Sequence, residues 1–194
     1  MKRKGSLKSR LIEEAFLNID RRYFVLNELQ QYCYADQPLP IGKGQTISQP
    51  TTVAYMLEWL CVQPGMEILD IGCGSGYTTA LLAYIAGETG KVTGVERIPE
   101  LAELAKNNLL NFKNLNYDII TAGRELGLPG RKFDRILVSA AAETFPEELL
   151  EQLNLGGKLV IPIGNAIYLY KIDAEGRVTS QSFYGFVFVP LITS

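Results

Sequence analysis

The sequence predicts an α/β fold with a mostly parallel sheet, and three observations support this class. Between residues 67 and 163, short apolar runs typical of strands alternate with helical patterns. Glycines at alternate positions follow the first run, as expected for a tight turn between a strand and a helix. After residue 166 the helical pattern ends, and two strands joined by a turn-rich segment predict an antiparallel hairpin.

The composition is that of an ordinary globular chain. Its 194 residues carry a net charge of −2, which gives no reason to expect nucleic acid as a partner. We expect a single domain, in which residues 1–66 form a helical and loop region and residues 67–194 form the α/β core. No apolar run approaches the roughly 20 residues of a membrane-spanning helix, so we expect a cytoplasmic monomer without membrane contact.

Histidine is absent from the chain, and this narrows the possible chemistry. Catalytic triads, zinc sites and general bases that depend on an imidazole are excluded. The three cysteines are widely spaced and form neither a zinc-binding pair nor a disulfide framework, so we expect no metal. The chemistry must use carboxylates, hydroxyls, lysines or a cofactor.

Before residue 67, the pattern predicts helices and one structured loop. The predicted helices are residues 6–17 with Ser6 as the N-cap, a short piece near residues 20–29, and a helix from Pro50 with Ser48 or Gln49 as the N-cap. Residues 38–48 form the loop, because their two prolines and two glycines exclude a regular helix or a central strand.

The α/β core is predicted to contain five strands before the hairpin. The strands are expected from Glu67 and at residues 91–96, 117–121, 133–139 and 158–163, with hairpin strands at 167–172 and 178–190. One helix follows the glycine turn, a second begins at Pro99 with Leu110 facing inward, and a third begins at Pro146. Gly156 and Gly157 are expected to end this third helix, because glycine is favoured just after a helix C-terminus.

The first strand and its glycine turn predict a nucleoside-type cofactor site. Asp70 lies near the end of the strand, and Gly72, Gly74 and Gly76 follow it. Tyr77 replaces the third glycine that dinucleotide sites require. An acid before the glycines suits an amine-bearing or cationic ligand, and S-adenosylmethionine fits, since it has a sulfonium, an α-amino group and no phosphate. A plain glycine turn at the end of a core strand is the alternative.

Two further features strengthen this hypothesis. Glu96 ends the second strand, 20 residues after Gly76, where an acid can accept hydrogen bonds from ribose hydroxyls. The loop at residues 38–48 carries small hydroxyls at Thr46 and Ser48, and a structured loop of 11 residues in a small domain is more often functional than a plain connection.

These motifs resemble the protein-L-isoaspartate O-methyltransferases. The run from Pro38 to Pro50 is specific to that family, whereas the glycine turn is shared by methyltransferases generally. Similar segments are residues 21–25 (with Asp20 where the family has proline), 70–77, 95–98, 133–136, 140–141, 156–164 and 188–191. The resemblance implies a Rossmann-like class I methyltransferase fold with helices on both faces of the sheet.

The resemblance also implies a repair activity. The family transfers a methyl group from S-adenosyl-L-methionine to the α-carboxylate of L-isoaspartyl residues in damaged proteins and peptides, and the ester then collapses to a succinimide. Ser48 corresponds to the active-site serine of the family. The candidate cofactor contacts are Gln45, Thr46, Ile47, Ser48, Asp70, Gly72, Gly74, Gly76, Glu96, Ala122 and Gly123.

This reaction agrees with the absence of histidine. A carboxylate is ionised at neutral pH and needs no general base, so positioning and electrostatics dominate. Ser48 is therefore expected to position the acceptor by a hydrogen bond. Ala122 stands where the family has an aspartate that is expected to contact the adenine amino group, which predicts cofactor binding weaker by roughly 0.5–1.5 kcal/mol. Glu125 is a candidate substitute.

Several other functions are alternatives to repair. A nucleic-acid amino-methyltransferase commonly carries an Asn/Asp-Pro-Pro-aromatic motif after the fourth strand, where this chain has residues Ser139 to Ala142. A non-catalytic cofactor-binding relative is suggested by Ala122, although the retained Ser48 argues against it. A class I methyltransferase with another acceptor stays open, and Tyr77 disfavours a dinucleotide-dependent oxidoreductase.

Overall fold

The computed structural model describes residues 7–192. In chain order its helices and strands are α1 (Arg10–Asn18), β1 (Leu39–Gly42), β2 (Gln45–Ile47), α2 (Pro50–Leu60), β3 (Glu67–Ile71), α3 (Tyr77–Ala86), β4 (Lys91–Glu96), α4 (Pro99–Leu109), β5 (Tyr117–Thr121), β6 (Phe133–Val138), β7 (Leu153–Ile163), β8 (Ala166–Ile172) and β9 (Val178–Tyr184). Three 3₁₀ helices are Arg21–Phe24, Asn27–Tyr32 and Glu147–Gln152.

The main sheet has seven strands in the order β5-β4-β3-β6-β7-β8-β9. The pairs from β5 to β7 are parallel, and β8 and β9 pair antiparallel at the end of the sheet. Because β4 and β6 lie on opposite sides of β3, the chain reverses direction across the sheet at β3. The predicted parallel core with an antiparallel C-terminal hairpin is confirmed.

The two faces of the sheet have separate hydrophobic cores. Ile68 and Leu137 belong to a cluster that contains buried residues of all four α-helices. Leu69 and Ile136, on the opposite face, belong to a second cluster with Leu149 of a 3₁₀ helix. Helices therefore cover both faces as predicted, although among residues 7–192 the second face carries only the short 3₁₀ helix.

The N-terminal region differs from the prediction in three places. α1 begins at Arg10 and is capped by Ser9, whose hydroxyl accepts from the backbone N–H of Ile12; the predicted cap Ser6 lies outside the described residues. The helical piece near residues 20–29 is two 3₁₀ helices. The loop at residues 38–48 contains a separate antiparallel hairpin, β1–β2. The start of α2 at Pro50, with Gln49 as the N-cap, agrees with the prediction.

The predicted helix from Pro146 was wrong in its extent. A 3₁₀ helix ends at Gln152, and β7 begins at the next residue. Gly156 and Gly157 lie inside β7, where its pairing with β6 is irregular. Phe133 of β6 pairs with Leu153 and Arg135 pairs with Lys158, so β7 advances five residues while β6 advances two. The glycines therefore form a bulge rather than a helix end.

Two smaller predictions were also wrong. Leu110 follows the last residue of α4 and is 64% exposed, so it does not face inward. β9 ends at Tyr184, because the chain then leaves the edge of the sheet, and residues 185–192 form an irregular C-terminal segment. Among residues 7–192, no helix is both long and apolar enough to cross a bilayer.

The glycine at the start of α3 allows a close helix–helix approach, which can be tested. A Cβ at Gly76 would lie 3.2 Å from Ala105 Cβ and 3.2 Å from Leu109 Cδ1 in α4. Gly185 has nearly the same φ (+93° against +92°) with nothing within 4 Å. We expect Gly76→Ala to lower the free energy of urea unfolding by about 1–3 kcal/mol more than the control Gly185→Ala. Equal losses would show that α4 moves aside.

Candidate active site

A cleft of about 250 Å³ opens at the carboxyl ends of the parallel strands. It lies where the strand order reverses around β3, which is the usual position of ligand sites in open α/β sheets. The predicted site residues that line it are Gln45, Thr46, Ile47, Ser48, Gly72, Gly74, Glu96, Ala122 and Gly123. The structure thus brings together residues that lie up to 78 positions apart, from 45 to 123. Asp70 and Gly76 do not line the cleft.

The glycine turn needs its glycines for backbone conformation. Gly72, Gly74 and Gly76 have φ values of 73°, 55° and 92°, in the range that side chains disfavour. At Gly74 there is also a steric reason, because an added Cβ would lie 3.0 Å from the Cδ1 of Ile41 in β1. The β1–β2 hairpin therefore packs directly on the turn.

Glu96 is held in place by the backbone around the cleft. Its carboxylate accepts hydrogen bonds from the N–H of Gly74 (2.9 Å) and of Ile98 (2.9 Å), one on each oxygen. The residue is buried, yet it lines the cleft. Since an ionised carboxylate has about four lone-pair sites, each oxygen can still accept from the hydroxyls of a ligand.

The environment of Asp70, which precedes the glycine turn, differs from that of Glu96. It is fully buried, and its Oδ2 accepts from the hydroxyls of Thr78 and Thr79, both at 2.7 Å. Its Oδ1 has no hydrogen-bond partner within residues 7–192. Burial raises the pKa of this carboxyl to about 6, the two threonine hydroxyls lower it, and the charge of Glu96 raises it. Asp70 therefore supports the turn from inside the protein.

Ser48 lies between β2 and α2, with its side chain at the cleft. Within residues 7–192 its hydroxyl has no hydrogen-bond partner, so it is available to a bound molecule. Its backbone carbonyl accepts a hydrogen bond from Nη2 of Arg21 at 2.8 Å. The backbone of the serine is thus anchored while its side chain stays free.

One wall of the cleft was not predicted as part of the site. Ser139 and Ala140 follow β6, and the C-terminal segment lines the cleft with residues 189–192. Ala141 holds that segment, since its N–H donates to the carbonyl of Val189 and its carbonyl accepts from the N–H of Leu191. The position of Ser139 at a strand end was a usable signal, because strand ends form such sites. For the C-terminal segment, the signal was the resemblance of residues 188–191 to the family, which by itself gave these residues no place in the site.

The loop after β5 closes the other end of the cleft. The N–H of Ala122 donates to the carbonyl of Glu96 at 2.8 Å, and the side chain of Ala122 offers a ligand no hydrogen-bonding group. Arg124 and Glu125 also line the cleft and are exposed. Within residues 7–192, no cluster of three or more potential ligands could hold a metal ion.

Solved structures share this architecture. A Thermotoga maritima protein described as an S-adenosylmethionine-dependent O-methyltransferase has a TM-score of 0.51 at 23% identity, with 71% of this chain and 62% of that chain covered. A Plasmodium falciparum protein assigned as a protein-L-isoaspartate O-methyltransferase was solved with S-adenosyl-L-homocysteine. It has a TM-score of 0.87 at 28% identity, with 100% of this chain and 95% of that chain covered. The fold is that of the Rossmann-like methyltransferases.

Sequence comparison then gives the family. The profile described as protein-L-isoaspartate(D-aspartate) O-methyltransferase matches residues 1–194. The protein-L-isoaspartate O-methyltransferase of Methanopyrus kandleri is 43% identical, with 99% of this chain and 88% of its own length covered. That of Thermococcus onnurineus is 44% identical, with 99% and 90% covered. This chain belongs to the protein-L-isoaspartate O-methyltransferase family, which confirms the resemblance seen in its motifs.

The environment of Asp70 predicts a pH-dependent stability. Its folded pKa of about 6 lies above the ordinary value of 3.8. The folded chain therefore binds more protons between these values, and its stability falls as pH rises through them, by about 3 kcal/mol in total. We expect Asp70→Asn to remove this fall in urea unfolding measured from pH 4 to 8. The exposed Glu151→Gln is the control and keeps the wild-type slope; an unchanged slope in Asp70→Asn contradicts the raised pKa.

Proposed function

We propose that this chain uses the cleft for the reaction of its family, methyl transfer from S-adenosyl-L-methionine to the α-carboxylate of L-isoaspartyl residues in proteins and peptides. One observation carries the proposal. The hairpin that is specific to the family packs on the glycine turn through Ile41 and Gly74. Ser48, which follows the hairpin, therefore lines the same cleft as the glycine turn. A methyl donor and an acceptor can meet there.

The residues of the cleft fit the proposed methyl donor. Gly72 and Gly74 let a ligand approach the backbone closely, and Glu96 offers acceptors for ribose hydroxyls. Gln45, Thr46 and Ile47 would close over the donor from the hairpin. When bound, S-adenosylmethionine supplies an electrophilic methyl group. Asp70 and Gly76 do not line the cleft, so their role is to hold the glycine turn in its conformation and not to contact the ligand.

At the adenosine end the cleft lacks the aspartate of the family. Ala122 has no side-chain acceptor, and Gly123 adds none. Glu125 is the carboxylate of this loop that lines the cleft. We propose that it accepts from the adenine amino group, which replaces part of the missing contact.

The acceptor side of the cleft requires no proton transfer. The substrate carboxylate is already ionised at neutral pH, so the protein has only to orient it toward the methyl group. Ser48 can donate its free hydroxyl to that carboxylate. It cannot act as a covalent nucleophile in the manner of a serine protease, because the chain has no histidine to activate it.

We also propose the domain organisation, the location and the class of partner of this protein. Residues 1–66 and 67–194 act as one domain, because Phe24 and Leu57 share a core cluster with Leu81 and Leu137. The free cysteines Cys33, Cys61 and Cys73 support a reducing, cytoplasmic location. The net charge of −2 supports a protein or peptide partner rather than nucleic acid.

The proposed substrate can be tested with a matched peptide pair. We expect label from methyl-labelled S-adenosylmethionine to enter an isoaspartyl peptide and not the aspartyl peptide of the same sequence. This result would also show that Ala122 is tolerated. If neither peptide is labelled, a titration with S-adenosylhomocysteine separates two outcomes: binding indicates another acceptor, and no binding indicates a non-catalytic relative.

Replacing the serine tests its role as a positioning donor. We expect Ser48→Ala to lower kcat by roughly 10–100-fold, the value of one hydrogen bond to a charged group. The affinity for S-adenosylhomocysteine, measured by calorimetry, should stay within about threefold because the glycine turn and Glu96 are intact. Ser180→Ala, on exposed β9, is the control. A large loss of cofactor affinity with normal kcat would exclude the proposed role.

A further inference from the structure

Arg21 is buried at the junction of the cleft and the N-terminal region. It lies at the start of the 3₁₀ helix Arg21–Phe24 and has no exposed surface. Its Nε donates to the carbonyl of Cys33 and its Nη2 to the carbonyl of Ser48, both at 2.8 Å. The guanidinium also lies over the ring of Tyr77, with 5.0 Å to the centroid.

This guanidinium is costly to bury. Its Nη1 has no hydrogen-bond partner, and no ion pair with a carboxylate is formed within residues 7–192. The neighbouring Asp20 pairs instead with Arg22 and with the hydroxyl of Tyr34. A buried charge without a counter-ion destabilises a fold unless its other contacts compensate. Arg21 therefore needs an explanation beyond packing.

Its contacts connect the two halves of the site. Ser48 lines the cleft and is the residue to which we assign the acceptor, and Tyr77 is the first residue of α3 after the glycine turn. Phe24, from the same 3₁₀ helix, packs on Tyr77 with ring centroids 5.3 Å apart. A planar guanidinium with fixed donors holds the carbonyl of Ser48 at a set distance and direction from the turn.

We propose that Arg21 is a positioning residue for methyl transfer, acting through the backbone of Ser48. The inference rests on the proposed function, because it assigns the serine to the acceptor. Arg21 fixes the carbonyl of Ser48, the carbonyl fixes the Cα, and the hydroxyl thereby points at the acceptor. Displacement of a positioning group by about 1 Å can lower a rate by about 100-fold. The glycine turn itself keeps its own backbone contacts.

Arg21→Lys is the first test, because it keeps the charge and loses the planar pair of donors. We expect kcat to fall by roughly 10–100-fold, while the affinity for S-adenosylhomocysteine changes by less than about threefold. Arg135→Lys is the matched control: Arg135 is also buried and also donates to carbonyls, but it lies at the opposite end of β6 from the cleft. This control keeps the wild-type kcat.

A double-mutant cycle separates positioning from general damage. If Arg21 acts through Ser48, Arg21→Lys lowers kcat by less than about threefold in the Ser48→Ala background. An equal loss in both backgrounds would overturn the proposal. So would a normal kcat in a folded Arg21→Lys variant.

Amide hydrogen exchange gives a readout that does not depend on activity. We expect faster exchange in Arg21→Lys for residues 45–49, and unchanged exchange for residues 70–76. If the wild-type protein fails to methylate the isoaspartyl peptide but Arg21→Lys still exchanges faster at residues 45–49, the proposed function fails. The structural link between Arg21 and the backbone of Ser48 then stands. Unchanged exchange at residues 45–49 overturns the link. If Arg21→Lys does not fold, Arg21→Gln repeats the tests, and failure of both variants to fold rejects a specific positioning role.

Discussion

The site depends on one contact, the packing of Ile41 on the glycine turn at Gly74. A Cβ at position 74 would lie 3.0 Å from Ile41 Cδ1, and the φ of 55° also disfavours a side chain there, so glycine suits this close approach of the hairpin to the turn. This contact brings a small antiparallel hairpin, which is separate from the main sheet, against the end of β3. The cleft is the space that the two elements enclose with the neighbouring strand ends.

Two acids near this turn have different roles because their surroundings differ. Glu96 has both oxygens held by backbone N–H groups and still reaches the cleft. Asp70 is fully buried, its carboxylate accepts from two threonine hydroxyls, and its pKa is raised. The first is suited to binding a ligand and the second to fixing the turn. Their positions in the sequence are similar, since each lies at the end of a strand, so only their environments distinguish them.

The chemistry proposed here is consistent with a chain that contains no histidine. Methyl transfer to a carboxylate requires neither a general base nor a metal, because the nucleophile is ionised and the methyl group is activated by the cofactor. What the protein must supply is alignment of acceptor and donor. The anchored backbone and free hydroxyl of Ser48 satisfy that need, and the buried guanidinium of Arg21 supplies the anchor.

The sequence by itself determined the parallel core and the bounds of β4 and β5, because these depend on local periodicity, and its motifs indicated nine of the residues that line the cleft. It did not determine that Gly156 and Gly157 form a bulge, since a helix end and a bulge use the same glycine conformations. It also gave Arg21 no role in the site. Only the tertiary structure placed Arg21 beside Ser48, 27 positions away, and the C-terminal segment beside Ala141. Such contacts depend on packing between distant segments, which local sequence patterns do not encode.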